Sequence, residues 1–387
     1  MRFRKKDFNT LAPFLACSFL LYFTNWMIMA FLPVFLKSIS FSDSRIGIII
    51  GIFSVSSLLM ILPAGFLSDY LSPKKMAVFG ASLFFIYTSG LYSVRDFYPL
   101  LGIALTGGFA HSILNITIYS LFLKVMGIEL RGKKIAFYQV GAYLGFGGGP
   151  LIGGWIVHHY SFESLFLLAS ALSFFLIILS ATLKDRPGIA FDFKDYKIEL
   201  KDRKIFLLIV IILVYATHFG VEQTSLSLFM KDTLLFSGQR IGLVFFILGI
   251  WMAILAPIAG HSFDRSRNII RILLIGLMAS GLFQIATGYV STFTELVFIR
   301  VLHTMGDALI ILTISILTSE FFPVERLGGH SGVLHISRTV GIFLGNIGSG
   351  YTNELFDYNM SLIINGTYIF IFAVLVTGLV RKLFVLK

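Results

Sequence analysis

The chain has 387 residues, of which 57% are hydrophobic and only 13% charged, and its mean hydropathy is +0.88. Soluble domains carry about 25% charged residues, so a water-soluble fold of this length is excluded. The net charge of +11 comes from short basic segments between apolar runs rather than from one basic face, which points to membrane topology and away from nucleic acid.

The chain opens on Arg2, Arg4, Lys5 and Lys6, followed by an apolar run from Leu11 to Leu36. That run is too long for the core of a secretory signal, so it predicts an uncleaved first span. The single cysteine, Cys17, lies inside it, rules out an intrachain disulfide and reads as a packing residue. A spanning helix needs about 20 mostly apolar residues. On that measure twelve spans are predicted, at 11–36, 45–67, 76–94, 98–124, 135–158, 162–183, 205–231, 240–262, 269–290, 293–321, 330–352 and 360–380.

Taking the loops alternately, one side holds Arg2 to Lys6, Lys74 and Lys75, Arg131 to Lys134, the basic residues between Lys184 and Lys204, Arg265 to Arg271, Arg326, and Arg381, Lys382 and Lys387. The other side holds only Lys37, Arg45, Arg95, Lys231 and Arg240. The excess of Lys and Arg on cytoplasmic loops then predicts a multi-pass protein of the cell membrane with both termini and the central loop in the cytoplasm. Segment 184–204 mixes both charge signs around Pro187 and Gly188, and reads as a cytoplasmic linker between the halves 1–183 and 205–387.

The halves repeat one another. SDSRIG at 42–47 matches SGQRIG at 237–242, and Gly65 and Asp69 match Gly260 and Asp264, all 195 residues apart. Glu129, Gly132, Gly145 and Gly149 match Glu325, Gly328, Gly341 and Gly345 at a spacing of 196. Two six-helix halves in the same orientation form a parallel repeat, for which a binding site near the bilayer midplane is expected. The expected fold is an all-α membrane protein, twelve transmembrane helices in two pseudo-symmetric six-helix bundles.

After the second span the sequence reads Gly65-Phe66-Leu67-Ser68-Asp69-Tyr70-Leu71-Ser72-Pro73-Lys74-Lys75. It resembles the cytoplasmic signature G-x-L-a-D-r-x-G-r-k of the major facilitator superfamily, with Gly65, Leu67, Asp69 and Lys74 in place, and Tyr70, Ser72 and Pro73 departing from it. A partial copy, Gly260-His261-Ser262-Phe263-Asp264-Arg265, stands at the matching place in the second half. The fifth span carries Gly145, Gly149, Pro150, Gly153 and Gly154 in the order G-x-x-x-G-P-x-x-G-G, which in that family is associated with antiporters and drug/proton exporters. Glycines four apart let a neighbouring backbone approach closely, and Pro150 frees a carbonyl. The arginine that such exporters carry on the fourth span is replaced here by Leu101-Gly102-Ile103-Ala104, while span ten reads Arg300-Val301-Leu302-His303-Thr304-Met305-Gly306-Asp307.

Ionisable groups deep in a span are costly and mark function by default. Asn25 sits near the middle of the first span, His111 and Asn115 four apart in the fourth, and His218 and Glu222 four apart in the seventh. Arg300, His303 and Asp307 follow one stripe of the tenth. The resemblance implies that spans 1, 4, 7 and 10 line a central cavity, so these residues fall where a solute passes. Asp307 with Arg300 or His303, and Glu222 with His218, are the expected proton-switching pairs, because a carboxylate binds or releases a proton as a cation leaves or approaches. Arg338, near the cytoplasmic end of span eleven, either snorkels to the interface or holds an anionic group.

The expected function is alternating-access secondary transport, proton-coupled export of a small amphipathic molecule. Uptake or exchange of an anionic metabolite, lipid or lysolipid translocation, and coupling to an alkali cation are the rivals. No nucleotide-binding loop G-x-x-x-x-G-K-[ST] and no hydrolase motif H-E-x-x-H or G-x-S-x-G is present, which argues against an ATP-driven pump and an enzyme. No cofactor or metal is expected. The expected partners are a small-molecule substrate, protons or another coupling ion, and the lipid bilayer, with a monomer as the working unit.

Overall fold

The computed structural model describes residues 5–126, 131–185, 202–265, 269–321 and 327–384, and their regular structure is helical throughout. In chain order the helices are α1 (Lys5–Met29), α2 (Leu32–Ser38), α3 (Asp43–Tyr70), α4 (Pro73–Ser93), α5 (Phe97–Met126), α6 (Arg131–His159), α7 (Phe162–Ala181) and α8 (Arg203–Val221). Two π-helical segments, Glu222–Leu226 and Phe229–Thr233, continue α8. They are followed by α9 (Gly238–Arg265), α10 (Ile269–Thr287), α11 (Phe293–Phe321), α12 (Leu327–Leu355) and α13 (Tyr358–Phe384).

The first predicted span is two helices, not one. α1 ends at Met29, a turn follows, and α2 restarts with Pro33 in its first turn, the part of a helix that tolerates a residue without an N–H. Among the described residues, eleven helical segments, α1 and α2 counted together, are long and apolar enough to cross a membrane. The helix at the eleventh predicted position, α12, is not among them. Its 29 residues are long enough, but His335, Arg338, Asn346, Asn353 and several glycines dilute its apolar character.

Local chemistry sets the helix starts. Ser72 caps α4 by accepting the Lys75 N–H at 3.1 Å, with Pro73 following it. Ser161 caps α7 through the Ser164 N–H at 3.3 Å, and Asp202 caps α8 through the Lys204 N–H at 2.7 Å. Each side-chain oxygen satisfies an N–H that has no partner inside the helix.

Two compact units emerge. Unit 1 comprises Met1–Ile39, Ile52–Asp192 and Ser237–Gly249; unit 2 comprises Ser40–Gly51, Phe193–Phe236 and Ile250–Lys387. α3 and α9 therefore each contribute to both units. In unit 1 the main packing pairs are α1 with α6, α4 with α5 and α4 with α7; in unit 2 they are α8 with α12, α10 with α11 and α10 with α13. These are the same pairs, one half of the chain later. Backbone geometry repeats as well. The only non-glycine residues at positive φ among those described are Ser40 (69°) and Leu235 (57°), 195 positions apart, each in the link that leads into α3 or α9.

Glycines permit the closest of these contacts. In unit 1 a Cβ at Gly145 would fall 2.6 Å from the Phe23 nitrogen, and one at Gly149 would fall 2.9 Å from the Met27 nitrogen and onto the Phe23 carbonyl. The corresponding glycines of unit 2 do the same on α8: Gly341 meets Leu213 and Ala216, and Gly345 meets Thr217 and Gly220. Unit 2 is further consolidated by apolar residues such as Leu208, Ile211, Leu273, Leu277, Ile310 and Val380, drawn from α8, α10, α11 and α13. They enclose the polar groups described next.

Candidate functional site

Tyr215, His218 and Glu222 are spaced i, i+3, i+7 along α8 and its continuation, and Arg300, His303 and Asp307 have the same spacing on α11. At 3.6 residues per turn each triplet forms one stripe. The two stripes meet within unit 2, and α10 adds Ser280 and Gln284 beside them.

Arg300 Nη1 lies 2.7 Å from Glu222 Oε1 and donates to Gln284 Oε1 at 3.0 Å. His303 Nε2 stands 3.0 Å from Glu222 Oε1 and 3.2 Å from Asp307 Oδ2. Asp307 Oδ1 accepts from Ser280 Oγ at 2.8 Å and Tyr215 Oη at 3.1 Å, with His218 Nε2 at 3.5 Å. His218, Arg300, His303 and Asp307 are buried, whereas the Glu222 side chain is 16% exposed and forms the open end of the network.

The ring orientations fix where hydrogens sit. His303 Nδ1 faces the Ser280 carbonyl at 2.9 Å, and a carbonyl only accepts, so Nδ1 carries hydrogen. Nε2 then faces two carboxylates. Either it also carries hydrogen, making an imidazolium, or a carboxylate carries one and donates it to Nε2. In both cases a single proton lies at a junction contested by Glu222, His303 and Asp307. His218 is oriented in the same way, with Nδ1 on the Tyr215 carbonyl and Nε2 toward Asp307.

His218, Glu222 and His303 also present ligand atoms within 4.8 Å of one another, the donor types a divalent metal uses. Arg300 already occupies the shared Glu222 oxygen, however, and its fixed positive charge opposes a dication there. The arrangement is better suited to a proton.

The structure forms the expected pair of Asp307 with His303 and rearranges the others. Glu222 is bound by Arg300 and His303 rather than by His218 one turn away, and His218 turns instead to Asp307. Arg300 does not pair with Asp307, since seven residues separate them by about 10 Å along α11. Helix α8 passes into π-helical backbone at Glu222 itself, a distortion common at functional sites and invisible to apolar periodicity.

In unit 1, Tyr22 Oη donates to Asn115 Oδ1 at 3.1 Å, and its ring meets that of His111 edge-on at 6.2 Å. Phe53 flanks the other side of His111 at 6.0 Å. Asn25, three residues from Tyr22, is buried with no hydrogen-bond partner for its Oδ1. His111 and Asn115 are thus brought together around Tyr22. In unit 2, Arg338 is exposed, with its guanidinium 5.1 Å from the centre of the Phe219 ring.

The motif of the fifth span has two working faces in unit 1. Gly145, Gly149 and Gly153 meet α1, while Pro150 and Gly154 meet Gly242 and Gly238 of α9. The side-chain surroundings of Gly65, Asp69, Asp264 and Arg265 lie outside the described residues. Lys74 contributes through its backbone: its N–H reaches Asp185 Oδ1 at 3.3 Å, and Ser72 Oγ donates to the same carboxylate. Asp185 therefore neutralises the positive end of α4. Tyr22, Tyr215, Ser280 and Gln284 were not legible as site residues, because uncharged polar groups are common in spans. The available signal was spacing: Tyr215 stands three residues before His218, and Ser280 and Gln284 are four apart.

Comparison with known proteins agrees with this architecture. The profile of the Major Facilitator Superfamily matches residues 14–232 and 204–384. An MFS-type transporter of Methanocaldococcus jannaschii is 21% identical over 341 residues, covering 84% of this chain and 86% of its own. The quinolone resistance protein NorA of Staphylococcus aureus is 23% identical over 350 residues, 88% of each chain. The multi-drug resistance efflux pump PmrA of Streptococcus pneumoniae is 23% identical over 322 residues, 77% of each. Among solved structures, the nucleoside transporter NupG superposes with a TM-score of 0.83 at 16% identity, over 98% of this chain and 100% of that one. With its helical repeat, its paired glycine contacts and a profile match over nearly its whole length, the chain belongs to the major facilitator superfamily and is a secondary transporter of the membrane.

Proposed function

We propose that this transporter exports a small amphipathic solute in exchange for protons, with Glu222, His303 and Asp307 as the coupling element. The observation that supports this most is the single His303 Nε2 set between two carboxylates. A proton arriving at half-buried Glu222 weakens its hold on Arg300 and His303 and leaves His303 to Asp307 alone. The network bridges three helices, so a change in its hydrogen bonding alters the relative stability of the arrangements those helices adopt, which is what coupling to alternating access requires. NorA and PmrA, described by their names as a quinolone resistance protein and an efflux pump, support the outward direction. All members of the network belong to one unit of one chain, which supports a monomeric working unit.

The test uses purified protein in liposomes with an acidic lumen and the fluorescent quinolone norfloxacin as probe. For one-for-one electroneutral exchange, a gradient of one pH unit sustains about tenfold accumulation. Accumulation above that of protein-free liposomes, with alkalinisation of the lumen when the probe is added, is the expected result. Uptake equal to that of protein-free liposomes removes the proposal for this solute class.

The proposed orientation, both termini in the cytoplasm, has its own check. In a Cys17→Ala background, Lys75→Cys, in the first turn of α4, and Tyr289→Cys, just after α10, place exposed thiols at helix ends of opposite predicted sidedness. In intact cells an impermeant maleimide should label Tyr289→Cys and leave Lys75→Cys untouched; the reverse pattern inverts the topology.

A further inference from the structure

We infer that unit 2 carries a binding site for the carboxylate end of an aromatic solute, formed by the Arg338 guanidinium over the Phe219 ring. It rests on the export reading for the direction in which a bound solute travels, not for the binding itself.

Charge balance is the first ground. The two network carboxylates, Glu222 and Asp307, already have cationic or proton-bearing partners in Arg300, His303 and His218, so neither is left over for Arg338. Arg338 stands outside this balance. Among the described residues it has no carboxylate partner, and the one contact found for its guanidinium is the face of Phe219. An uncompensated cation within a span is costly unless water or an anionic ligand meets it.

Position is the second ground. α12 starts at Leu327, so Arg338 lies 11 residues in, about 16 Å along the axis, deeper than a start near residue 330 implied. In a bilayer with a hydrocarbon layer about 30 Å thick, a centred helix of this length puts residue 338 inside that layer. Arg338 does not, however, face the acyl chains. The exposed apolar residues of α12, Leu344, Tyr351 and Leu355, define its outer stripe. At 100° per residue Arg338 falls about 100–140° away from that stripe. It points instead toward α8, over Phe219, and is still exposed.

Chemistry is the third. A planar guanidinium matches a carboxylate with two parallel N–H donors, while its flat face and the ring beneath it accept an aromatic body. Phe219 in turn packs on His218, with ring centres 3.8 Å apart, and on Tyr215 at 5.4 Å. Both neighbours touch Asp307. An anion drawn to Arg338 is therefore one aromatic layer from the proton network, close enough for occupancy of one to be felt by the other.

The test is binding to detergent-solubilised full-length protein at one pH and with no gradient, reading the fluorescence anisotropy of dansylglycine, an aromatic carboxylate, and of its neutral amide. The wild type should bind the carboxylate about tenfold or more tighter than the amide. Arg338→Gln should weaken the carboxylate by about 10- to 100-fold, the range for deleting a charge-assisted hydrogen bond, and the amide by less than about twofold. Arg338→Lys should recover part of the difference. Equal affinity for the two probes in the wild type, discrimination surviving in Arg338→Gln, or a parallel loss of both probes each overturns the site. Because no gradient is used, the two proposals fail separately. Intact discrimination without proton-driven norfloxacin uptake overturns only the export reading, whereas proton-driven uptake without discrimination overturns only the carboxylate site.

Discussion

Asp307→Asn should abolish proton-driven accumulation while leaving downhill exchange within about threefold of wild type, because it deletes a titrating group and keeps its shape. Asp307 lies 14 residues into α11, about 21 Å along it, buried beneath Tyr215 and Ser280. The asparagine carbonyl can still accept from both hydroxyls. Its amide turns toward His303 Nε2, which then accepts rather than donates, and the ring becomes neutral with Nδ1 still on Ser280. The remaining charges, Glu222 and Arg300, stay paired at 2.7 Å. The variant is thus electrically balanced and should fold, but the contested proton has gone.

The neighbouring substitutions behave differently, and the difference makes the result interpretable. Arg300→Met removes a cation and leaves two carboxylates to one imidazole junction, and breaking a buried pair from one side costs about 3–5 kcal/mol. Its loss of transport would accompany a lower unfolding temperature. Asp307→Asn should lose coupling without that fall. Accumulation under an imposed pH gradient and counterflow without one, in the same vesicle preparation, separate the two activities. Full gradient-driven accumulation by Asp307→Asn would exclude Asp307 as the coupling group and move the role to Glu222.

The residues of this network were legible because charge within an apolar run is costly and therefore conspicuous. Glu222, Arg300, His303 and Asp307 stand out on those grounds alone, and the repeat was legible in SDSRIG and SGQRIG. Their partners were less so. Spacing along one helix suggests neighbours such as His218 and Glu222, but which side chains meet depends on how α8, α10 and α11 rotate against one another, and apolar periodicity does not report that angle. The π segments at Glu222 shift that rotation further. The break between α1 and α2 was hidden because both sides of it are buried and apolar. Arg338 was legible as a charge, but its depth depended on the start of α12, which polar and glycine residues blur.

Gly149→Leu is expected to reduce transport far more than Phe146→Leu at equal expression. A Cβ at residue 149 would lie on the Phe23 carbonyl oxygen and 2.9 Å from the Met27 nitrogen, so the obstacle is α1 backbone and no rotamer change relieves it. Separating α1 from α6 costs at least the 1–3 kcal/mol typical of overpacking, and roughly 3 kcal/mol or more where two backbones must part. Those two helices form one of the principal contacts of unit 1, and the same α6 segment meets α9 through Pro150 and Gly154, so the displacement extends to both faces of the motif. Phe146 lies between these glycines, yet its ring meets Trp26 edge-on at 4.5 Å, a contact worth about 0.5–1.5 kcal/mol, and lies beside Gly249, so it meets no backbone obstacle of the kind that faces Gly149. Leucine fills most of that space. Gly345→Leu, aimed at the Thr217 backbone of α8, should reproduce the defect in the second half, since Gly345 occupies the repeated position. Initial transport rates and unfolding temperatures of the three variants check this. Equal rates for Gly149→Leu and Phe146→Leu would show that close contact between α1 and α6 is dispensable and that the glycine motif acts in some other way.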